Sequence, residues 1–212
     1  MSEDQANDLA ATYEEMSDAD GNGLEMIIQS SDWHDLSKSL SAPLETLIGK
    51  AGFLALAQSF CSDQNNPTAA QSSPRLAVIV LSDDAAIQEL NHTYRSKNTA
   101  TNVLSFPAPS SDQGQEEVFM AERGGHENKQ ISGPDHLGDV ILAYETIRAE
   151  AKRDNKPLEA HISHLVIHGV LHLLGYDHLD TLQAEQMETL ETKLLSALNY
   201  PNPHSMDEGE TS

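Results

Sequence analysis

The sequence predicts a mixed domain of strands and helices, with a small sheet packed on one central helix. Three observations carry this. Short β-branched runs bounded by turn residues recur in the first two thirds of the chain, at 24–29, 75–81, 103–106 and 138–143. The longest stretches of helical periodicity come late, after residue 144. One of them, from Pro157 to Leu174, is apolar on nearly every side, and a helix of that kind is buried.

In chain order, residues 1–22 read as an acidic disordered leader ending in the turn signal Asp20-Gly21-Asn22-Gly23. Leu24 to Gln29 reads as the first strand. Residues 43–60 have helical spacing through Leu44, Leu47, Ile48, Ala51, Leu54 and Ala55, with Pro43 near the start. Residues 62–73 are polar and read as a loop. Arg75 to Leu81 is the clearest strand. Ser82-Asp83-Asp84 can cap a helix running to about Tyr94. Val103 to Phe106 is a strand stopped by Pro107.

Residues 108–135 are polar and Gly-rich, and are expected as a flexible loop. Gly138 to Ala143 is a further strand, and Tyr144 to about Asp154 a helix. Pro157 suits the first turn of the central helix. Leu182, Met187, Leu190, Leu194 and Leu198 mark an amphipathic last helix, on which Glu185, Glu188 and Glu191 are expected to face solvent. Residues 201–212 are a polar tail. A single domain therefore spans about 23–200.

Composition narrows the function. The chain has 212 residues and a net charge of −22, from 34 acidic and 12 basic residues. Such a balance disfavours non-specific nucleic-acid binding, which depends on neutralising phosphates. Much of the acid is peripheral, however, with eight Asp or Glu and no Lys or Arg in residues 1–25. Arg148, Lys152, Arg153 and Lys156 cluster instead, as a local basic patch or a solvated helix face. The single cysteine, Cys61, excludes an internal disulfide and suits a reducing, cytoplasmic setting. No signal peptide or apolar run of membrane-spanning length is seen.

The chemistry concentrates at 164–178, His-Leu-Val-Ile-His-Gly-Val-Leu-His-Leu-Leu-Gly-Tyr-Asp-His. His168 and His172, four apart, share a helix face. Gly175 can end the helix in a left-handed conformation, which lets the chain bring His178 back. Three imidazoles with an open fourth position are a catalytic zinc arrangement. His161, His164, His168 and His172 fall within an arc of about 80°, and such a buried stripe is costly unless bonded or ligated. The spacing has the metzincin form H-x-x-x-H-x-x-G-x-x-H, but the peptidase general base after the first His is replaced by Gly169. That argues against a zinc peptidase. Among neighbours, Asp177 is a candidate base or turn-former, His164 a substrate contact or a bonded core residue, and Tyr176 a stacking or packing residue.

A second motif, Asn91-His-Thr-Tyr-Arg95-Ser-Lys97-Asn-Thr-Ala-Thr101-Asn-Val-Leu-Ser-Phe-Pro107, precedes Leu137-Gly-Asp-Val140 and the histidine helix. Together the three resemble the YbeY family of bacterial rRNA-maturation endoribonucleases over roughly residues 24–200. The resemblance implies an α+β, zincin-like fold, a small mostly parallel mixed sheet around a central metal-binding helix. It implies one Zn2+ per chain held by His168, His172 and His178, and a catalytic role for Arg95. It further implies a single-strand-specific endoribonuclease acting in 16S rRNA 3′-end maturation and ribosome quality control. The expected partners are single-stranded RNA, 16S rRNA and the small ribosomal subunit or its proteins, with no membrane and no DNA. The competing readings are a ribosome-assembly factor whose metal is structural and, less well supported, a zinc peptidase.

Overall fold

The computed structural model describes residues 12–58, 74–108 and 135–204. They form an α+β arrangement of a five-stranded mixed sheet and six helices. The strands are β1 (Thr12–Ser17), β2 (Gly23–Ile28), β3 (Arg75–Ser82), β4 (Val103–Pro107) and β5 (Asp135–Ala143). The helices are α1 (Ser31–Ser37), α2 (Leu44–Leu56), α3 (Asp84–Arg95), α4 (Tyr144–Arg153), α5 (Leu158–Leu173) and α6 (Thr181–Ala197).

The strand order is β1-β2-β3-β5-β4. The two central pairings, β2 with β3 and β3 with β5, are parallel, whereas β1 and β4 close the edges in antiparallel fashion. Parallel and antiparallel pairings are thus equally represented, where a mostly parallel sheet was expected.

Both faces of the centre are covered, which explains the unbroken apolar runs of β2 and β3. Leu24, Met26, Ile79, Leu81, Val140 and Leu142 face α2 and α5. The alternate residues Ile27, Val78, Val80 and Ile141 pack with Ile87 and Leu90 of α3. This is the period-two alternation of a pleated strand. Trp33 of α1 is fully buried, and its indole N–H donates to the Ser82 carbonyl at 2.8 Å.

Two segments differ from the sequence expectation. Residues 12–17, taken with the acidic leader 1–22, form β1 and pair in register with β2. Its Glu14 and Glu15 are exposed. A charged edge strand lacks the apolar signal of a buried one, because it needs only backbone pairing on one side. The turn signal at 20–23 was sound: Asp18 accepts from the backbone of Asp20 and Asn22, Gly21 has φ +83°, and the turn joins β1 to β2. The second segment is α1, whose seven residues are too short for periodicity to reveal.

Residues 1–11, 59–73 (with Cys61), 109–134 and 205–212 lie outside the described residues, so the expectations for the loop 108–135 and most of the tail fall there. The ends of that loop are tied. Pro107 pairs with Gly138, and Ala108 N–H donates to the Leu137 carbonyl at 2.8 Å. Gly138 has φ +130°, and a Cβ there would strike the Phe106 carbonyl. Among the described residues, no helix is long and apolar enough to cross a membrane.

Candidate metal centre

Helix α5 lies across the sheet with Ile162, Val166, Ile167, Val170 and Leu171 in the core. At Gly169 it comes close to the sheet. A Cβ at this position would sit against Val140 and 3.2 Å from Ser105 Oγ, and Ser105 Oγ–H donates to the Gly169 carbonyl at 3.2 Å. Glycine is therefore a packing requirement here. The position that carries the base in peptidases faces β4 and β5.

The helix ends as Gly175 predicts. Gly175 takes φ +92°. Its N–H bonds to the His172 carbonyl, and the Tyr176 N–H to the Leu171 carbonyl, both at 3.0 Å. These two bonds are the Schellman pairing of a left-handed helix stop. The reversal returns His178 to the end of the helix. His178 N–H is then held by its neighbour Asp177 Oδ1 at 2.8 Å, so Asp177 braces the loop. Half-buried Tyr176 packs against the core.

The result is a cluster in which His168, His172 and His178 each present a nitrogen within 4.8 Å of the others. The His168 and His178 rings stack at 5.9 Å and 19°, while His172 meets both edge-on. Hydrogen bonds fix the tautomers. His168 Nδ1–H donates to Glu191 Oε1 at 2.7 Å, and His172 Nδ1–H to the Tyr176 carbonyl at 3.0 Å. Neither acceptor carries a proton to give back. The two Nε2 atoms are thereby left facing each other at 3.1 Å, and on neutral rings both present lone pairs. Two opposed lone pairs at that distance repel unless a cation or a proton lies between them. Burial, with the neighbouring His168 and His178, lowers the pKa of His172, which keeps the ring neutral and available as a ligand. The donor set fits a divalent metal.

Glu191 of α6 was expected on the solvent face with Glu185 and Glu188. Those two are exposed, but Glu191 is 1 % exposed. The signal was in the spacing: Glu191 falls between buried Met187 and buried Leu194 and Leu195, on the apolar side of α6. Its carboxylate takes His168 on Oε1, and His164 (3.1 Å) and His204 (2.7 Å) on Oε2. Burial pushes its pKa up, but the His164 and His168 hydrogen bonds outweigh this and hold it far below the usual carboxylate range. Burial lowers the pKa of His164, against the pull of Glu191. The fourth histidine of the stripe, His161, bonds to Glu150 at 2.9 Å. Every imidazole of the stripe thus has a partner, as burial requires.

Arg95 sits exposed at the last residue of α3. Its neighbour Tyr94 meets Phe106 of β4 edge-on at 5.3 Å, one residue from Ser105, which touches α5. The helix end carrying Arg95 is thereby fastened to the strand beside the histidine helix.

A family profile described as endoribonuclease YbeY matches residues 47–199. The chain belongs to the YbeY family. It is 45% identical over 133 residues to an endoribonuclease YbeY of Pseudomonas putida, covering 63% of this chain and 74% of that one. It is 43% identical over 129 residues to the endoribonuclease YbeY of a Bradyrhizobium, covering 60% and 68%. A Thermotoga maritima protein solved in solution aligns over 88% of this chain and 99% of its own, at 19% identity and a TM-score of 0.40. The YbeY match spans both the Arg95 motif and all three clustered histidines.

Proposed function

We propose that this YbeY member is a metal-dependent endoribonuclease that cuts single-stranded RNA at the three-histidine centre, with His168, His172 and His178 holding one zinc ion. The observation that carries the reading is the pair of Nε2 atoms facing each other at 3.1 Å, with a His178 nitrogen within 4.8 Å. When bound, the ion polarises a phosphoryl oxygen and lowers the pKa of water to about 7.

The chain's own residues supply the rest. Glu191 and the Tyr176 carbonyl orient two ligands. Arg95 offers a planar donor fork to phosphate. Arg148, Lys152 and Lys156 line a groove along α4, a basic surface for the RNA backbone on an otherwise acidic chain. Asp177, engaged with its own loop, suits bracing better than proton transfer.

The zincin-like fold, the single catalytic domain of residues 23–200 and a cytoplasmic site of action belong to this proposal. So do 16S rRNA 3′-end maturation, ribosome quality control, and contacts with the small subunit. The reading as an assembly factor with a structural metal is less favoured. Structural zinc sites are closed by four protein ligands, and the cluster at His168, His172 and His178 has three among the described residues.

The test compares wild type with His172→Ala for bound metal and for cleavage of a single-stranded RNA carrying a 16S 3′-end sequence, with and without chelator. Loss of metal and cleavage together is expected. Cleavage that survives in metal-free, highly purified His172→Ala protein overturns the reading.

A further inference from the structure

The two oxygens of Glu191 face different neighbours. Oε1 belongs to His168. Oε2 faces the Nε2 atoms of His164 and His204, at 3.1 and 2.7 Å. His164, Glu191 and His204 present these atoms within 4.8 Å of one another. They come from three separate pieces of chain: α5, α6 and the segment that follows α6. We propose that they form a second site for a divalent transition-metal ion of the zinc class, distinct from the three-histidine centre.

The chemistry suits the ion. Two imidazole nitrogens and a carboxylate oxygen are a zinc donor set. Glu191 is buried with its Oε2 turned to both rings, so the carboxylate ligand is already in place. Glu191 Oε2 lies closer to both nitrogens than the ~3.4 Å ligand spacing that ~2.1 Å tetrahedral bonds give, so an entering ion spreads these contacts, the His204 contact most. Without the ion, both rings donate their Nε2 protons to Oε2. Ion entry moves each ring's proton to Nδ1 and puts the Nε2 lone pair on the metal; no proton leaves a neutral ring.

His204 is held ready for this. Asn202 Oδ1 accepts from His204 N–H at 2.9 Å and from Thr192 Oγ at 3.0 Å, and Lys156 Nζ donates to the Pro203 carbonyl at 3.1 Å. A cavity of about 150 Å³ adjoins His164, lined also by His161, Lys156 and Asn202. It has room for the water that completes the coordination. The ion would clip the segment after α6 onto the central helix. It would also sit on the carboxylate that orients His168, so the two sites share Glu191.

The experiment uses the full chain without a polyhistidine tag, stripped of metal, saturated with Zn2+, dialysed and counted by elemental analysis. Circular dichroism checks the fold of each variant first. About two ions per chain are expected in wild type, and about one in either His204→Ala or His172→Ala. His204→Asp is expected to restore about two, because a carboxylate ligates zinc but cannot donate a hydrogen bond to Glu191. Zn2+ is also expected to raise the Tm of His172→Ala but not of the His172→Ala, His204→Ala double variant. Saturation at about one ion, kept in His204→Ala and lost in His172→Ala, overturns the second site and leaves the first standing. One ion lost in His204→Ala and kept in His172→Ala supports the second site and overturns the first.

Discussion

Glu191 Oε1 lies 2.7 Å from His168 Nδ1, and through this contact α6, which contributes none of the three clustered histidines, reaches the histidine cluster. The carboxylate fixes the tautomer and makes the ring a better ligand. Glu191→Gln keeps the shape and loses the charge. Zinc affinity of the three-histidine centre is expected to fall about 10–100-fold. Competition against a chromophoric chelator in a His204→Ala background reads that centre alone. An unchanged affinity would reduce Glu191 to a packing residue.

The metal-free protein is expected to lose stability on acidification in two windows. His164 and His172 have folded pKa values below the ordinary 6.5, chiefly through burial. Below about pH 6.5 the unfolded chain therefore binds more protons than the folded one, so stability rises with pH there and falls as pH drops. Glu191 has a depressed pKa. Its contribution is complete above the ordinary carboxylate range and is lost as pH falls through that range and below it. Urea midpoints of the stripped protein between pH 8 and 5 should decline from neutrality downward, and His164→Gln should flatten the decline. A midpoint that climbs between pH 7 and 5.5 contradicts this account.

Gly169→Ala places a methyl group against Val140, where α5 comes close to the sheet. Overpacking of this kind costs about 1–3 kcal/mol. The urea midpoint should drop accordingly, although alanine is the better helix former. No loss of stability would mean that the helix shifts freely away from β5.

Arg95→Ala is expected to leave bound zinc unchanged and to reduce RNA cleavage about a hundredfold, the scale of losing one well-placed donor to a developing anion. Arg95 is exposed and belongs to no part of the core, so the Tm should not move. Full activity in the variant removes Arg95 from the mechanism.

The sequence was most legible where one local rule decides the structure. Gly175 ends α5 because only a positive φ allows the reversal that returns His178. Asp83 caps α3 by accepting from Ala86 N–H at 2.9 Å, and Pro43 precedes α2. The runs that became β2, β3 and β5 are buried on both faces and read as continuous apolar strands. Legibility failed where a residue's role depends on a distant partner. β1 is stabilised by its pairing with β2, and its own side chains mostly face water. Glu191 sits on an apolar helix face because His164, His168 and His204 supply the donors that make burial tolerable. Those histidines are 13 to 27 residues away along the chain, beyond any local pattern.

β4 leaves the sheet at Pro107 and β5 returns opposite it by Gly138, so the chain between them is a detour whose two ends are already sewn together. The entropy of closing such a detour grows only logarithmically, by about 0.6 kcal/mol for each doubling of its length. A flexible connection of any ordinary length there would therefore cost the sheet little. Ser105, two residues inside that seam, touches the histidine helix. The pairing at Pro107 and Gly138 thus anchors β4 and β5 beside the histidine helix independently of the residues that join them.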